Sequence, residues 1–383
     1  MIDRLLILCL ILLLGYLIFN IINCSNKEKF TTTKLPELNS GSIVSLYDDK
    51  GTKLNVALIA QPFGYDSDYK TYLENINKYI YMGITSYMEF PYIPSNPLDN
   101  YVAENEIDKN PKGSSYNYEM YYKICEGWLH CFRNPKEYLP SDKILSLISE
   151  SDFVNYNVLR PDDTKKEYDF VYSCPKVDKN SHCDDWVSFN KNWALALKCL
   201  PILCLKHKLK GLLIGRQGCK LPDGCDKYIE TTGWVDYFEN IKLYRKCKFL
   251  FLPNVRDASP RVLTECLATG LPCLVNYNIL GGWKYVDEEK TGTFFNDEND
   301  IDSSVTRLLA NMSKYNPRQY IIDNYGPINA GKALKKLLFD NFKDRLNVNE
   351  DKVEYITLRG QLTGFTPELT TEEKKTKTKT KTN

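Results

Sequence analysis

Two acidic residues, Asp257 and Glu265, are separated by seven residues. Asp257 lies just before the start of a predicted helix and Glu265 lies within it. Ser259 is a favourable N-cap residue and Pro260 suits the first helical position. The N-terminus of a helix carries free N–H groups and the positive end of the helix dipole, which attract a phosphate. Carboxylates would repel that phosphate, so we expect the two acids to bind hydroxyl groups. A nucleotide sugar, with phosphates between two polyol groups, would satisfy these features together.

The elements on either side of this helix predict a βαβ unit. Residues 248–253 form a short apolar run that ends in Pro, and residues 271–276 form a second one, as in strands buried on both faces of a parallel sheet. Residues 260–270 between them carry one apolar stripe and end in Gly. Such a unit brings the start of its helix to the C-terminal edge of the sheet, where ligands bind. A simpler interpretation is also open, with Asp257 in a solvated loop and Glu265 on an exposed helix face.

Five segments around this unit carry motifs in a particular order. They are Thr-Gly-Trp-Val at 232–235, residues 244–253, residues 257–265, residues 268–273 and Glu-Lys-Thr-Gly at 289–292. Together they resemble the donor-binding half of retaining family 4 glycosyltransferases of the GT-B fold, over about residues 165–345. The resemblance implies that Asp257 and Glu265 match a Glu-x7-Glu motif, whose first acid holds sugar hydroxyls and whose second holds the ribose. Asp257 is shorter than the family's Glu by one methylene, which affects the sugar preference.

The resemblance also implies cationic side chains beside the donor phosphates. The family has a Gly-Arg turn, followed by a Lys, after the strand that corresponds here to residues 168–173. This chain has an insertion at 174–186 instead, so Lys191 is the best match for the Lys and Lys176 is a candidate substitute for the missing Arg. The other residues predicted to bind the phosphates are Ser259, Pro260, Arg261 and Arg256.

Two more residues follow from the resemblance, one for the nucleobase and one for the acceptor. Val235 belongs to a Gly-x-Val turn that lies by the nucleobase in the resembled family. Its neighbour Trp234 could pack on a base or be plain core. His130 and Asp257 are the predicted catalytic residues, because a first-lobe His faces the sugar in several relatives. The alternative for His130 is a polar residue at the lobe surface.

An Asp-x-Asp sequence, Asp66-Ser-Asp68, raises the question of a metal ion. Sugar transfer requires the leaving phosphate to be neutralised as its bond to the sugar breaks. GT-A enzymes use a metal bound to Asp-x-Asp for this, whereas GT-B enzymes use cationic side chains and a helix dipole. Asp66-Ser-Asp68 precedes a predicted helix, so we interpret it as a surface N-cap. We predict no metal and no cofactor, with a nucleotide-diphosphate sugar as the donor substrate.

The composition excludes nucleic acid as a predicted partner. The 383 residues are 43% hydrophobic and 26% charged, and 50 basic against 49 acidic residues give a net charge of +1. The 13 cysteines include the close pairs Cys125/Cys131, Cys174/Cys183 and Cys219/Cys225. Such pairs could be disulfides or plain thiols, depending on the compartment. Richness in Lys, Asn, Tyr and Ile is typical of an AT-rich genome, such as that of a large DNA virus.

The N-terminus predicts attachment to a membrane. Residues 5–22 are 18 positions without a charge, which as a helix span about 27 Å, close to the ~30 Å core of a bilayer. A cleaved signal peptide is the alternative, but the run is long and no small-x-small site follows it. We therefore predict a single-pass N-terminal anchor. The side of the membrane stays undetermined because the flanking charges nearly cancel.

The predicted fold is α/β, with a GT-B arrangement of two Rossmann-like lobes and a cleft between them, after an N-terminal transmembrane helix. The predicted segments are the anchor at 1–29, a stem at 30–50, a short acceptor-side lobe at 51–160, a nucleotide-sugar-binding lobe at 161–345 and a low-complexity Lys/Thr tail at 346–383. The last helices are expected to cross back and brace the first lobe.

Three functions are compatible with the sequence. The first is a membrane-anchored, retaining, metal-independent glycosyltransferase that moves a sugar from a nucleotide-diphosphate sugar to a glycan, lipid or protein acceptor. The second is a non-catalytic GT-B relative with a binding or structural role, which the short first lobe, Asp257 and the altered phosphate loop would suit. The third is a nucleotide-sugar epimerase, although a soluble epimerase needs no membrane anchor.

Overall fold

The fold is taken from a computed structural model, which describes residues 35–38, 40–61, 63, 65–85, 118–174 and 183–358. The strands are β1 (Ile43–Asp48), β2 (Lys53–Ile59), β3 (Ile80–Ile84), β4 (Gly127–Leu129), β5 (Ile144–Ser146), β6 (Tyr168–Ser173), β7 (Gly211–Ile214), β8 (Ile229–Thr231), β9 (Cys247–Leu252), β10 (Cys273–Asn276), β11 (Gly292–Phe295) and β12 (Ile356–Leu358). The α-helices are α1 (Asp66–Asn75), α2 (Tyr118–Ile124), α3 (Trp186–Asn190), α4 (Trp193–Pro201), α5 (Tyr237–Arg245), α6 (Arg261–Ala268), α7 (Ile301–Asn311), α8 (Pro317–Asn324) and α9 (Gly326–Phe342). Strands and helices largely alternate along the chain, which confirms the predicted α/β class.

The first sheet has six strands in the order β12-β1-β2-β3-β4-β5. Strand β1 pairs antiparallel with β2 and β12, whereas β2 to β5 are parallel neighbours. Six of the seven residues of β2 are buried, as its run of apolar side chains predicts for a strand covered on both faces. The first sheet with its helices is called the first lobe below.

The second sheet has six parallel strands in the order β11-β10-β9-β6-β7-β8. The chain runs outward from β6 to β8 and then returns to the other side of β6 as β9. The strand order therefore reverses between β6 and β9, and parallel sheets bind ligands at the C-terminal ends of the strands at such a switch point. Strand β9, helix α6 and strand β10 confirm the predicted βαβ unit. The second sheet with its helices is called the second lobe.

Helix α9 packs against the first sheet, although it follows the second sheet in sequence. Its buried side chains share one apolar cluster with those of β2 and β3. They are Ala330, Leu334, Leu338, Phe339 and Phe342. Strand β12 completes the return by pairing with β1. The prediction that the last helices brace the first lobe is confirmed for α9, whereas the buried Ile321 of α8 belongs to the apolar cluster of the second lobe.

Two predicted boundaries differ from the structure. Strand β1 lies inside the range assigned to the stem, 30–50, and β12 lies inside the range assigned to the tail, 346–383. Both strands are short, and their place depends on pairing with each other, as Leu46 does with Leu358, rather than on a local pattern. The predicted anchor and the tail from residue 359 lie outside the described residues. Within the described ranges, no helix is long and apolar enough to cross a membrane.

Candidate active site

The C-terminal ends of β6 and β9 lead into the predicted donor residues. The loop after β9 contains Asp257, and the connection after β6 leads to α3 and Lys191. The Lys191 ammonium group contacts the Asp257 carboxylate. Asp257 is 8% exposed, and Nδ2 of the buried Asn254 donates a hydrogen bond of 2.9 Å to the same carboxylate oxygen. The structure therefore brings Lys191 and Asp257 together at the switch point. Asn254 adds a contact that the sequence pattern did not indicate.

The backbone of Lys191 is held on both sides. Its N–H donates to the carbonyl of Val187 at 2.8 Å, and the Tyr172 hydroxyl donates to its carbonyl at 3.0 Å. Burial raises the pKa of Tyr172 well above its usual value, so its hydroxyl keeps its proton. Asn192, in the left-handed region with φ 53°, caps α4 and donates to the Pro253 carbonyl at 3.0 Å. These bonds join α3, α4 and the loop after β9.

Helix α6 begins at Arg261, one residue later than the sequence predicts. Pro260 occupies the N-cap position, and no side chain caps the helix. The hydroxyl of Ser259 bonds instead to Ser151 of the first lobe, at 2.7 Å from the Ser151 hydroxyl and 3.2 Å from its N–H. The predicted N-cap role of Ser259 is therefore wrong, because Ser151 engages its hydroxyl. No described side chain caps the start of α6, and the uncapped N–H groups of a helix start suit a phosphate.

Glu265 is buried within α6, with 6% of its surface exposed. The interpretation as a residue of the exposed helix face is wrong. Burial raises the pKa of its carboxyl from the usual 4.5 to about 7, and the charges of Arg261 and Lys191 partly oppose that shift. A buried carboxylate costs free energy unless hydrogen-bond donors surround it. Ligand hydroxyls would supply such donors.

The predicted nucleobase residues follow β8. Val235 is half-buried and packs against the core of the second lobe. Trp234 is 60% exposed, so the interpretation of this side chain as plain core is wrong and its ring is accessible to a ligand. Arg256 lies over the ring of Phe189, 4.9 Å from its centre. This contact places the Arg256 guanidinium between the loop after β9 and α3.

His130 follows β4 directly and is 6% exposed, so it does not lie at the lobe surface. Burial and the charge of Lys284 lower the pKa of its imidazole from 6.5 to about 4. Its Nδ1 atom has no hydrogen-bond partner among the described residues. The carbonyl of the next residue, Cys131, accepts a hydrogen bond of 2.9 Å from Nε1 of Trp283 in the second lobe. His130 is thus a neutral imidazole beside a contact between the lobes.

Gly281 lies where the Asp257 loop meets the first lobe. Its N–H donates to the Asp257 carbonyl at 2.9 Å. A Cβ atom at this position would lie 1.8 Å from the carbonyl oxygen of Ala258 and 2.9 Å from Cβ of Cys131. Only glycine permits this approach. The Gly-Gly pair at 281–282 was the signal in the sequence that could have indicated it.

A buried polar network also joins the lobes near this site. Nζ of Lys284 donates to Asp152 at 2.7 Å, and their side chains are 8% and 6% exposed. The Tyr285 hydroxyl donates to Asp152 at 2.6 Å and lies 2.9 Å from the hydroxyl of Ser149. This network was not predicted from the sequence. The Ser-x-x-Asp spacing of Ser149 and Asp152, which forms a capping box, could have indicated one half of it.

Asp66-Ser-Asp68 does not form the predicted surface N-cap. Tyr65 occupies the N-cap position of α1. Asp68 is buried and accepts hydrogen bonds from the hydroxyls of Ser40 at 2.6 Å and Ser42 at 2.9 Å. The interpretation was wrong because these partners come from the segment before β1. Over the ranges that the structure covers, no cluster of three or more His, Cys, Asp or Glu side chains is arranged to hold a metal ion.

The cysteines pair differently from the close pairs in the sequence. Cys183 and Cys219 form a disulfide, with their Cα atoms 5.7 Å apart. The remaining members of the close pairs are buried free thiols. Lys176, the candidate substitute for the family's arginine, lies outside the described residues.

Residues 187–326 match the sequence model of the family described as Glycosyl transferases group 1. The matched segment contains the cation, both acids and the nucleobase turn that were predicted, namely Lys191, Asp257, Glu265 and Val235. His130 lies outside it. The second lobe therefore carries a Glycosyl transferases group 1 domain. No curated protein sequence matches the chain.

Several solved structures are similar to the chain at low identity. A sucrose-phosphate synthase from Thermosynechococcus elongatus is 12% identical, with a TM-score of 0.48, over 73% of this chain and 72% of that one. The lipopolysaccharide outer core galactosyltransferase WaaB is 12% identical, with a TM-score of 0.46, over 72% of each chain. The pneumococcal O-GlcNAc transferase GtfA, in complex with UDP and GlcNAc, is 10% identical, with a TM-score of 0.47, over 76% of this chain and 56% of that one.

Proposed function

We propose that the protein is a retaining glycosyltransferase that moves a sugar from a nucleotide-diphosphate sugar to a glycan, lipid or protein acceptor. The observation that carries the proposal is the contact between Lys191 and Asp257, inside the segment that matches the family. It joins a cation suited to phosphates and an acid suited to sugar hydroxyls, beside the uncapped start of α6. A site for a sugar diphosphate needs these groups close together.

In this proposal the second lobe stabilises the leaving group. Lys191 and the start of α6 would neutralise the charge that develops on the phosphate as its bond to the sugar breaks. Arg256 and the backbone N–H groups of Ser259 and Arg261 would share this role. With these positive groups in place, we propose transfer without a metal ion or other cofactor. Asp257 would hold sugar hydroxyls and Glu265 the ribose.

His130 is proposed to act from the first lobe. Its imidazole is neutral at physiological pH, because its pKa is lowered to about 4. A neutral imidazole can donate one hydrogen bond and accept another. We propose that it binds a hydroxyl of the sugar or acceptor, rather than neutralising phosphate charge.

We propose that a single-pass anchor at residues 1–29 attaches the protein to a membrane. This part of the proposal comes from the apolar run at residues 5–22. The disulfide between Cys183 and Cys219 supports an oxidising compartment for the remainder of the chain. The origin in a large DNA virus stays a prediction from composition.

Thermal unfolding of the full-length protein in detergent tests the proposed activity. The protein is heated with UDP-, GDP-, ADP- and CMP-sugars, with and without EDTA. A ligand at about 100 times its Kd adds ~2.7 kcal/mol to the free energy of unfolding and raises the Tm by a few degrees. We expect one nucleotide class to shift the Tm equally in both conditions. Analysis of the reaction products then distinguishes sugar transfer from epimerisation. If the protein unfolds cooperatively but no nucleotide sugar raises its Tm, the non-catalytic alternative is favoured.

A further inference from the structure

We propose that Arg216 and the disulfide between Cys183 and Cys219 form a clamp that positions Lys191 for the donor. The clamp joins the loop after β7 to the segment before α3 by a covalent bond and to α3 itself by a hydrogen bond. Its effect on donor binding rests on the proposed function. Arg216 and the two cysteines are positioning residues, because they act through Lys191.

The covalent part of the clamp lies at the start of α3. Cys183 precedes Asp185, whose side chain caps α3 by accepting a hydrogen bond from the N–H of Ser188 at 2.8 Å. Cys219 lies in the loop after β7, and its N–H donates to the carbonyl of Arg216 at 3.0 Å. The disulfide therefore ties the capped start of α3 to the turn that contains Arg216.

The hydrogen-bonded part of the clamp joins Arg216 to α3. Arg216 is completely buried, and its Nη1 donates to the Ser188 hydroxyl at 2.6 Å. That hydroxyl in turn donates to Asp185 at 2.7 Å. The guanidinium also lies 5.6 Å from the ring of Trp193, while its Nη2 has no hydrogen-bond partner among the described residues. A buried cation with an unpaired donor costs free energy, so packing alone gives no reason for an arginine here.

The clamp reaches Lys191 through α3. This helix has five residues, which is too short to be stable without outside contacts. Lys191 is its C-cap residue, and the Lys191 N–H donates to the carbonyl of Val187. The contacts of Ser188 and Asp185 at one end therefore act together with the Tyr172 hydroxyl at the other end to hold Lys191 in place. Loosening them should allow the ammonium group of Lys191 to leave its place beside Asp257.

A consequence of the clamp is that donor binding responds to reduction. A dithiol breaks the S–S bond by supplying two electrons and two protons, so that two thiols form and the reagent becomes a cyclic disulfide. The nine other described cysteines are buried free thiols. Reduction should therefore act in the described chain through Cys183 and Cys219, and it should lower the affinity for the donor.

The test compares the full-length wild-type protein with the variant Cys183→Ser/Cys219→Ser, each with and without dithiothreitol. Hydrogen exchange at the Lys191 amide reports on the clamp directly and needs no ligand. The Kd for the donor nucleotide sugar reports on function, and it is also measured in a Lys191→Ala background. Ser188→Ala is a second variant, which removes the acceptor of Arg216 Nη1 while leaving the disulfide.

We expect reduction or either variant to speed exchange at the Lys191 amide and to weaken donor binding about tenfold. In the Lys191→Ala background the same changes should have no further effect on the Kd, and the double Ser variant should not respond to dithiothreitol. Unchanged exchange in the reduced protein would overturn the clamp. An equal loss of affinity in the Lys191→Ala background would overturn its action through Lys191. If the oxidised wild type binds no nucleotide sugar, the proposed function is wrong. The exchange rates at the Lys191 amide still test the clamp in that case, because they are measured without a ligand.

Discussion

The ammonium group of Lys191 contacts the carboxylate of Asp257, although 66 positions separate the two residues in the sequence. The contact joins the connection after β6 to the loop after β9, across the switch point of the second sheet. A diphosphate at the start of α6 would compete with Asp257 for Lys191, because both are anionic. The two residues should therefore have different effects on the nucleotide part and the sugar part of a donor.

The first prediction separates these effects. Lys191→Met should weaken binding of the nucleotide diphosphate by about 1.5–3 kcal/mol, because a charged hydrogen bond to phosphate is lost. Asp257→Asn should leave binding of the bare nucleotide diphosphate no weaker than in the wild type, since Lys191 loses its competing anion. It should reduce the additional affinity contributed by the sugar by about 1–3 kcal/mol. Isothermal titration with the nucleotide diphosphate and its sugar derivative measures both quantities.

Lys198→Met is the matched control. Lys198 lies on α4, and its ion pair with Glu298 is solvent-exposed. Exposed ion pairs contribute little to stability, and Lys198 pairs with Glu298 rather than with Asp257. Nucleotide binding in Lys198→Met should equal that of the wild type. Equal losses in the Lys191 and Lys198 variants would contradict a specific role for Lys191.

The second prediction concerns the pH dependence of nucleotide binding through Glu265. Its pKa is about 7 in the folded protein. Ribose hydroxyls donate more strongly to the charged carboxylate than to the neutral acid, so affinity should rise between about pH 6 and about pH 8. Glu265→Gln should bind the nucleotide about 1–3 kcal/mol more weakly at the higher pH and show no such rise. A wild-type affinity that is flat over this range would contradict contact between the ribose and Glu265.

The same residue makes a separate prediction about stability. The folded pKa of Glu265, about 7, lies above its usual 4.5, so the folded state binds this proton more tightly than the unfolded chain. The contribution of Glu265 to the free energy of unfolding therefore falls as pH rises from 4.5 to about 7, by at most on the order of 3 kcal/mol. Glu265→Gln should lack this fall and be more stable than the wild type above about pH 7. Urea unfolding at several pH values measures the difference.

The sequence was sufficient to predict the elements that have local signals. Residues 248–276 contain an apolar run, a Pro, an apolar stripe, a Gly and a second apolar run, and each of these acts within a few residues. Strand β9, helix α6 and strand β10 follow from them. The resemblance to the family added the prediction that Lys191 and the residues around Asp257 lie at the same site. Local sequence patterns alone do not predict this.

The remaining features depend on partners that are distant in sequence. Ser259 has the residue type and position of an N-cap, but the first lobe brings Ser151 to its hydroxyl. Asp68 likewise bonds to Ser42 of the segment before β1. No local pattern encodes such contacts, because they form only when the two segments meet in the folded protein. For the same reason the distance between two cysteines in the sequence did not predict the disulfide.

The third prediction concerns His130, whose pKa is about 4 in the folded protein against the usual 6.5. The unfolded chain therefore takes up this proton first, and the stability of the wild type should fall as pH drops from 6.5 towards 4. His130→Gln should lack that part of the fall. With His130 bound to a hydroxyl of the sugar or acceptor, the same variant should lower kcat about 5- to 150-fold, the effect of losing about 1–3 kcal/mol of hydrogen bonding, without changing the Kd of the nucleotide diphosphate. Equal kcat in the two proteins would remove His130 from the catalytic residues.

The last prediction concerns the buried ion pair between Asp152 of the first lobe and Lys284 of the second. Removing one member leaves the other as an unpaired buried charge, so Lys284→Met should lower the free energy of unfolding by about 3–5 kcal/mol. Tyr285→Phe should lower it by about 1–3 kcal/mol, because Asp152 loses one donor. The exposed pair of Lys246 and Glu167 provides the control, and Lys246→Met should change stability by about 1 kcal/mol or less. Denaturant midpoints of the three variants measure these differences, and similar midpoints for Lys284→Met and Lys246→Met would show that the ion pair between the lobes is not buried in solution.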